Sequence, residues 1–327
     1  MTRPERMRAA EIREPGRPPV VADREPPVPG DGEVLVDVLA APITPLDLLC
    51  ATGTSYFGRP ATPYVPGVQG VGTTGGRTVW FPCPAGMAPG DGSMAEVAAV
   101  PEAALVALPD GADPVSLAAL GLSAVAAHMA LTWRGELAAG EQVVVLGAGG
   151  VVGQAAVRLA RAAGARRVVA GARSADGRER ARRAGADAVV ALDTADVAEL
   201  GRRFAGAAEG PVDLVLDPLF GAPAAAAAGT LRPGGRLVNL GSSAGETCPI
   251  ESSTIRGRSL RVLGYTNNEL TPEQRAESIA FVAERAAAGE LAVAHETVPL
   301  EDAAEAWRRQ AEGTAAGRIV LTPRPAG

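Results

Sequence analysis

The chain has 327 residues, 47% of them hydrophobic and 21% charged, enough apolar material for two domains of ordinary size. A net charge of -6 argues against a nucleic-acid groove, and three cysteines spread far apart, Cys50, Cys83 and Cys248, set up neither a disulfide framework nor a metal cluster. No apolar run reaches membrane-spanning length and the N-terminus lacks the apolar centre of a signal peptide, so the expectation is a cytoplasmic protein with no membrane or nucleic-acid partner.

Residues 1–6 are expected to be disordered, with the first strand starting at Met7. From there to about Pro109 short apolar runs alternate with polar residues and are cut by Pro and Gly. Glu33–Ala40, Val68–Thr73, Thr78–Phe81, Met94–Val100 and Leu105–Leu108 read as strands of a small barrel-like domain. Thr44–Cys50 reads as a short helix, with Thr44 as N-cap and Pro45 at its first position. Asp113–Trp133 is the next helix, capped by Asp113 and interrupted by Gly121, which makes that glycine a hinge candidate.

Beyond Glu141 strands and helices alternate. Strands are predicted at Val143–Leu146, Arg167–Ala170, Ala188–Val190, Val212–Leu216, Arg236–Leu240 and Leu260–Tyr265, with helices between them and at Pro272–Ala288. Such alternation predicts a parallel sheet covered on both faces. The alanine run Ala224–Ala228 reads as helix filler. A strand at Val293–Val298, a helix at Leu300–Glu312 and a strand at Arg318–Leu321 close the chain and are expected to rejoin the first domain.

The most informative stretch is Val143–Ala163. A fully apolar strand runs into Gly147-Ala148-Gly149-Gly150-Val151-Val152-Gly153 and then into a helical pattern. Strand, glycine turn and helix form the setting in which backbone N–H groups at a helix start face a diphosphate. Gly147 allows the tight turn, Gly150 lets a diphosphate approach and Gly153 lets the helix pack close to the strand. Position 152 is Val, so the spacing is G-x-x-G-x-x-G instead of G-x-G-x-x-G. Gly147, Gly149, Gly150, Val151, Val152 and Gly153 are therefore candidate cofactor-binding residues.

An acid at the end of the second strand would hold the ribose hydroxyls of NAD. Here Arg173 and Ser174 stand at that place, with Arg178 beyond, and a guanidinium suits a 2′-phosphate. NADPH is the expected cofactor, with Asp176 as the residue that argues the other way.

Five segments together resemble the medium-chain dehydrogenase/reductase superfamily, in its zinc-free quinone oxidoreductase-like branch. They are Pro63–Gly72, Gly121–Ala124, Gly147–Gly153, Leu231–Val238 and Gly317–Leu321, in the family's order. The resemblance implies an α/β protein with a GroES-like β-barrel catalytic domain over 1–115 and 272–327 and a Rossmann NADP-binding domain, a doubly wound parallel sheet, over 116–271. It also implies a homodimer paired through Rossmann edge strands, with Leu260–Gly264 as the edge, and a nicotinamide between the domains. By the same resemblance Ser123, Asn239, Gly241 and Ser242 are candidate cofactor contacts, and Thr44, Asp47 and Tyr56 are the catalytic candidates. Thr44 departs from the family's usual Asn, Asp47 is also expected to brace its loop, and the Tyr56 hydroxyl is a candidate proton donor.

At the places where zinc-dependent relatives hold the metal this chain has Thr44, Val68 with Gln69, and Leu122, so no metal is expected. Without a Lewis acid, hydride addition to a conjugated double bond fits best, because the charge delocalises to an enolate or hydroquinone held by hydrogen bonds. The expected activity is NADPH-dependent reduction of a small quinone or α,β-unsaturated carbonyl. Two alternatives stand beside it: an enoyl-thioester reductase of a biosynthetic pathway, and a catalytically silent NADPH-binding interaction protein.

Overall fold

Pro and Gly cut the first third of the chain into short strands, and the computed structural model, which describes residues 5–324, shows how they assemble. In chain order the elements are β1 (Met7–Glu11), β2 (Val20–Arg24), β3 (Glu33–Pro42), α1 (Pro45–Ala51), β4 (Gln69–Thr74), β5 (Arg77–Pro82), β6 (Val97–Pro101), β7 (Val106–Ala107) and α2 (Pro114–Met129). There follow β8 (Gln142–Val145), α3 (Val151–Ala162), β9 (Arg167–Ala172), α4 (Ala175–Arg183), β10 (Ala188–Ala191), α5 (Val197–Ala208), β11 (Val212–Asp217), α6 (Gly221–Ala228), β12 (Leu231–Asn239), α7 (Ser252–Arg258) and β13 (Arg261–Gly264). The chain closes with α8 (Pro272–Ala287), β14 (His295–Pro299), α9 (Ala303–Glu312) and β15 (Arg318–Thr322). It divides into two units: one made of residues up to Gly121, Ile279–Gly289 and those from Ala294 on, the other of Leu122–Ser278 and Glu290–Val293. Met1 to Pro4, part of the stretch expected to be disordered, lie outside the described residues.

The first unit holds a mixed sheet in the order β14-β15-β3-β4-β5-β7, with β6 also paired to β3, and a separate β1-β2 pair. Alternation along β3 puts Val36, Val38 and Ala40 inside at 0% exposure. Val36 and Val38 meet Phe81, Met94, Ile319 and Leu321 in one core, so the C-terminal strands complete the sheet begun by the N-terminal ones. β2 escapes the sequence pattern because prolines flank it and its residues are mostly half-exposed. β6 starts at Val97, three residues later than the predicted Met94, because the Ser93 and Met94 amides donate to the Gly67 and Pro66 carbonyls instead of to a neighbouring strand.

The second unit is a six-stranded parallel sheet in the order β10-β9-β8-β11-β12-β13. This is the 3-2-1-4-5-6 order of a doubly wound dinucleotide fold. Val143 to Leu146 are 0% exposed, the burial on both faces that the unbroken apolar run predicts. The alanine run is more than filler: Ala224, Ala226, Ala227 and Ala228 are at 2% exposure or less and belong to the core. α7 was not predicted, since its sequence has no apolar period and none of its residues is buried.

Helix α2 breaks at Gly121, whose φ of 31° and ψ of -134° lie outside the helical region. A π-helical turn, Ala130–Arg134, extends it. Together Pro114–Arg134 span 21 residues and are long and apolar enough to cross a membrane, which corrects the sequence expectation. The stretch is 72% buried inside the protein over its most apolar window, as a core helix is.

At the end of the sheet opposite the glycine turn, Arg236 is 3% exposed. It donates to the Gly135 and Glu136 carbonyls and to both Glu141 carboxylate oxygens, tying the end of the π turn to β12. Burial pushes the Glu141 carboxyl up, but the donors from Arg236 and the Ala138 amide hold it below the usual carboxylate range. Arg236→Met is expected to lower the unfolding free energy by about 3 kcal/mol, because it removes the main donors from the Glu141 carboxylate and the donor to the Gly135, Glu136 and Asp213 carbonyls. A carboxyl whose folded pKa is depressed contributes its stability above the unfolded value of about 4.3 and loses it as pH falls through the folded value. Urea midpoints of protein and variant should therefore converge as pH falls from about 7 to about 3.

Candidate cofactor-binding turn and active site

Strand order reverses between β8 and β11, so the ligand crevice of such a sheet opens at their carboxyl ends. Gly147 leaves β8 with φ 62°, and a Cβ there would stand 3.1 Å from both Pro218 and Leu219, just past β11. Gly153 needs its missing side chain most: a Cβ would lie 2.4 Å from Ala148 Cα and from the Gly147 carbonyl oxygen. A Cβ at Gly149 would lie 2.6 Å from Gly177 Cα, so the turn meets the start of α4 glycine to glycine. Gly150 differs. A Cβ there would meet only the Gly147 carbonyl oxygen at 3.4 Å, so its hydrogen faces space the chain itself leaves open.

Gly150 is the N-cap of α3 and no side chain caps that helix, whereas Ser174 caps α4 and Asp196 caps α5. The helix begins two residues earlier than predicted, which makes Val151, Val152 and Gly153 its first turn. Their N–H groups have no carbonyl within the helix to meet. Two side chains that the sequence reading missed hold the turn from outside. Gln154 Nε2 donates to the Gly149 and Gly150 carbonyls at 3.1 and 3.3 Å, and Arg180 Nε donates to the Gly149 carbonyl at 2.9 Å. With the Gly149 and Gly150 carbonyls turned towards these donors and the helix amides uncapped, the turn offers N–H donors to a diphosphate. The residues present fit a dinucleotide.

At the end of β9, Arg173 is exposed, and among the described residues no carboxylate faces its guanidinium. Arg178 donates to the Arg173 carbonyl at 2.7 Å, and the Ser174 hydroxyl accepts from the Gly177 amide at 3.0 Å. Ser174 is thus committed to capping as an acceptor and keeps its proton for another partner. Asp176 is exposed in the first turn of α4. At the end of β12, Asn239 Nδ2 donates to Asp217 Oδ2 and to the Gly241 carbonyl at 3.0 and 2.8 Å. Asp217 is fully buried and also accepts from the Leu219 and Phe220 amides. Burial raises its pKa against the pull of these donors. Asn239 therefore braces the β11 and β12 ends, a link that spacing does not reveal. The Ser242 hydroxyl donates to Glu246. Ser123 is half-buried on α2, one residue past Leu122, whose carbonyl accepts from Asn267 Nδ2 at 3.0 Å. His128 pairs with Ser278 at 2.9 Å.

In the first unit Thr44 and Asp47 form a capping box. The Thr44 hydroxyl donates to Asp47 Oδ2 at 2.6 Å and accepts from the Asp47 amide at 3.2 Å. Asp47 Oδ1 accepts from the Gly67 and Val68 amides at 3.0 and 2.8 Å, and Oδ2 also takes the Thr44 amide at 2.8 Å. At 5% and 2% exposure, both side chains are spent on holding α1 to the Gly67 loop. This geometry gives Asp47 the bracing role expected of it, and Thr44 shares it. Tyr56 is 74% exposed, with its ring 4.3 Å from that of Phe57. Gln69, where zinc-dependent relatives carry an acid, is 1% exposed and accepts from the Trp80 indole at 3.0 Å. A Cβ on Gly121 would stand 2.1 Å from Gln69 Oε1, so the kink in α2 is shaped around this amide. Burial, then the nearby Asp47 carboxylate, pushes the Cys50 thiol up to about 11, so it is no ready nucleophile. Among the described residues no group of three or more His, Cys, Asp or Glu converges as a metal site needs.

An uncapped glycine turn at the switch point of a doubly wound sheet defines a dinucleotide-binding protein, and comparison with known proteins narrows the class to oxidoreductases that use a nicotinamide cofactor. The family model described as zinc-binding dehydrogenase matches residues 184–321. The quinone oxidoreductase of Homo sapiens is 28% identical over 331 residues, covering 96% of this chain and 97% of its own. The quinone oxidoreductase of Thermus thermophilus, whose structures include a complex with NADPH, superimposes with a TM-score of 0.82 at 31% identity, covering 97% of this chain and all of that one, 100%. A Streptomyces orinoci protein of the spectinabilin polyketide synthase system, NorB, is 32% identical over 305 residues, 90% of this chain but 13% of its own length. The chain belongs to the medium-chain dehydrogenase/reductase superfamily, in its quinone oxidoreductase-like branch.

Proposed function

We propose that the protein is a zinc-independent, NADPH-dependent reductase of quinones or α,β-unsaturated carbonyls. The observation that carries the reading is the uncapped glycine turn between Leu146 and Gln154, with Arg173 instead of an acid at the end of β9. The relatives that are quinone oxidoreductases support the reaction class, and the Thermus relative solved with NADPH supports the cofactor.

In this reading the Val151, Val152 and Gly153 amides hold the diphosphate, Gly150 leaves it room, and Arg173 meets the 2′-phosphate with a forked pair of donors. Asn239 keeps Gly241 and Ser242 in place at the end of β12. Bound there, the nicotinamide nucleotide supplies a hydride. Thr44, Val68, Gln69 and Leu122 offer no zinc ligand set, so charge developing on the substrate oxygen is met by hydrogen-bond donors and not by a Lewis acid. The reading includes a cytoplasmic homodimer paired through β13, an edge strand whose Val262 is 46% exposed.

Arg173→Ala is expected to raise the dissociation constant for NADPH about tenfold or more while leaving that for NADH within about twofold, since a charged hydrogen-bond pair to the 2′-phosphate is lost. Fluorescence titration with both nucleotides checks it, and unchanged NADPH affinity overturns the cofactor choice. Stopped-flow oxidation of NADPH against a panel of quinones, enones and crotonyl thioesters tests the substrate class. The alignment with a segment of the polyketide synthase protein favours a second reading, an enoyl-thioester reductase, for which only the thioesters would turn over. Nucleotide binding without turnover of any of them would leave the silent binding protein.

A further inference from the structure

A line of hydrogen bonds within the second unit runs along the carboxyl ends of three neighbouring strands and finishes on helix α2. At the end of β11, Asp217 Oδ2 accepts from Asn239 Nδ2 at 3.0 Å. The Asn239 carbonyl, at the end of β12, accepts from the Tyr265 amide at 2.9 Å. Tyr265 stands just past β13, and its hydroxyl donates to Asn267 Oδ1 at 2.7 Å. Asn267 Nδ2 in turn donates to the Leu122 carbonyl at 3.0 Å, across 145 positions of sequence.

The last two members are each held in one orientation. Tyr265 is 7% exposed, and its ring meets that of Trp133 edge-on at 6.3 Å. Trp133 belongs to the π-helical turn that extends α2, a kind of turn frequent at functional sites, and Arg134 Cζ lies 3.9 Å from the centre of its ring. Burial, then the Glu269 carboxylate, holds the Tyr265 phenol above its ordinary range, so it stays protonated and donates. With Oδ1 taken by the phenol, the Asn267 amide has to turn Nδ2 towards Leu122. A carboxylate at this position could still accept from Tyr265 but would set a second acceptor against the Leu122 carbonyl.

Arg173 stands just past β9, on one side of the switch point. A dinucleotide that rests its diphosphate on the turn after β8 and its 2′-phosphate on Arg173 extends its other half over β11, β12 and β13. The line from Asp217 to Leu122 therefore follows the nicotinamide half of the crevice, and it ends one residue before Ser123. We propose that Asn267 is a positioning residue for the nicotinamide ring: by fixing the Leu122 carbonyl it sets Ser123 in place against the ring and leaves the adenosine half of the nucleotide untouched. The inference rests on the NADPH reading above and adds to it a residue outside every segment that carries the family resemblance.

The test is isothermal titration of the full chain and of Asn267→Asp with two ligands, NADPH and 2′-phosphoadenosine 5′-diphosphoribose, which lacks the nicotinamide. Asn267→Asp should bind NADPH about fivefold to tenfold more weakly, the worth of one hydrogen bond, and the nicotinamide-free ligand within about twofold of the parent. Asn267→Ala, which brings no charge, should show the same selective loss at about threefold or more. A general loosening of the fold would weaken both ligands together. Equal losses for the two ligands, or none for either, in a chain whose parent binds NADPH overturn the proposal and leave the NADPH reading standing. A parent that binds neither ligand overturns that reading and the proposal with it. Failure of both variants to fold would make Asn267 a brace of the whole unit and overturns the proposal as well.

Discussion

Gly153→Ala is expected to abolish measurable nucleotide binding, a loss of at least about a hundredfold, and to lower the unfolding free energy by about 3 kcal/mol. The added Cβ would fall 2.4 Å from Ala148 Cα and from the Gly147 carbonyl oxygen, and neither is the movable end of a side chain. The helix can accept it only by shifting away from β8, which carries the Val151 and Val152 amides off their common target. Gly150→Ala separates the two effects. Its Cβ meets only the Gly147 carbonyl oxygen, at 3.4 Å, and the residue's φ of -85° suits any amino acid. That variant should melt as the parent does yet bind NADPH roughly tenfold more weakly or worse, because the methyl enters the space left for the diphosphate. Calorimetry and fluorescence titration on both variants check the pair. If Gly150→Ala bound NADPH as the parent does, the turn would not be the nucleotide site.

Asp47→Ala is expected to cost about 4 kcal/mol of stability. It strands the Thr44, Gly67 and Val68 amides and the Thr44 hydroxyl at once, all of them donors to this one carboxylate. It also removes a carboxylate whose field favours the charged form of the fully buried Arg318, a guanidinium that burial brings down to about 10 even with Asp47 nearby. Asp47→Asn keeps the shape and half of the acceptors, and should cost about 2 kcal/mol. Thr44→Val should cost less still, since it removes one hydroxyl and leaves the other three donors in place. Urea titrations of the three variants give the order. A reaction-step role for Asp47 predicts the opposite signature, with lost turnover at unchanged stability.

Much of the second unit is readable from the chain alone. Val143–Leu146 announces a strand buried on both faces, and the glycines at 147, 150 and 153 announce the turn, because strand burial, the positive φ of Gly147 and the close packing at Gly153 are recorded in adjacent residues. The kink at Gly121, the Thr44 cap and the Pro45 helix start are legible for the same local reason. The link from Asn239 to Asp217 gives no sign in the chain, since the two residues stand 22 positions apart. The grip of Arg180 on the Gly149 carbonyl, 31 residues away, is equally invisible.

The sequence by itself determined most of the elements, though not β2 or α7, together with the parallel architecture of the second unit and the place of the glycine turn, since hydrophobic period, proline and glycine act on the backbone within a few residues of themselves. Only the tertiary structure decided what the polar side chains do. It made Asp47 a brace to a loop some twenty residues on, bound Asn239 to Asp217 and closed Gln69 against Gly121. A hydrogen bond between distant residues depends on how two segments meet, and that meeting is set by the packing of the whole unit.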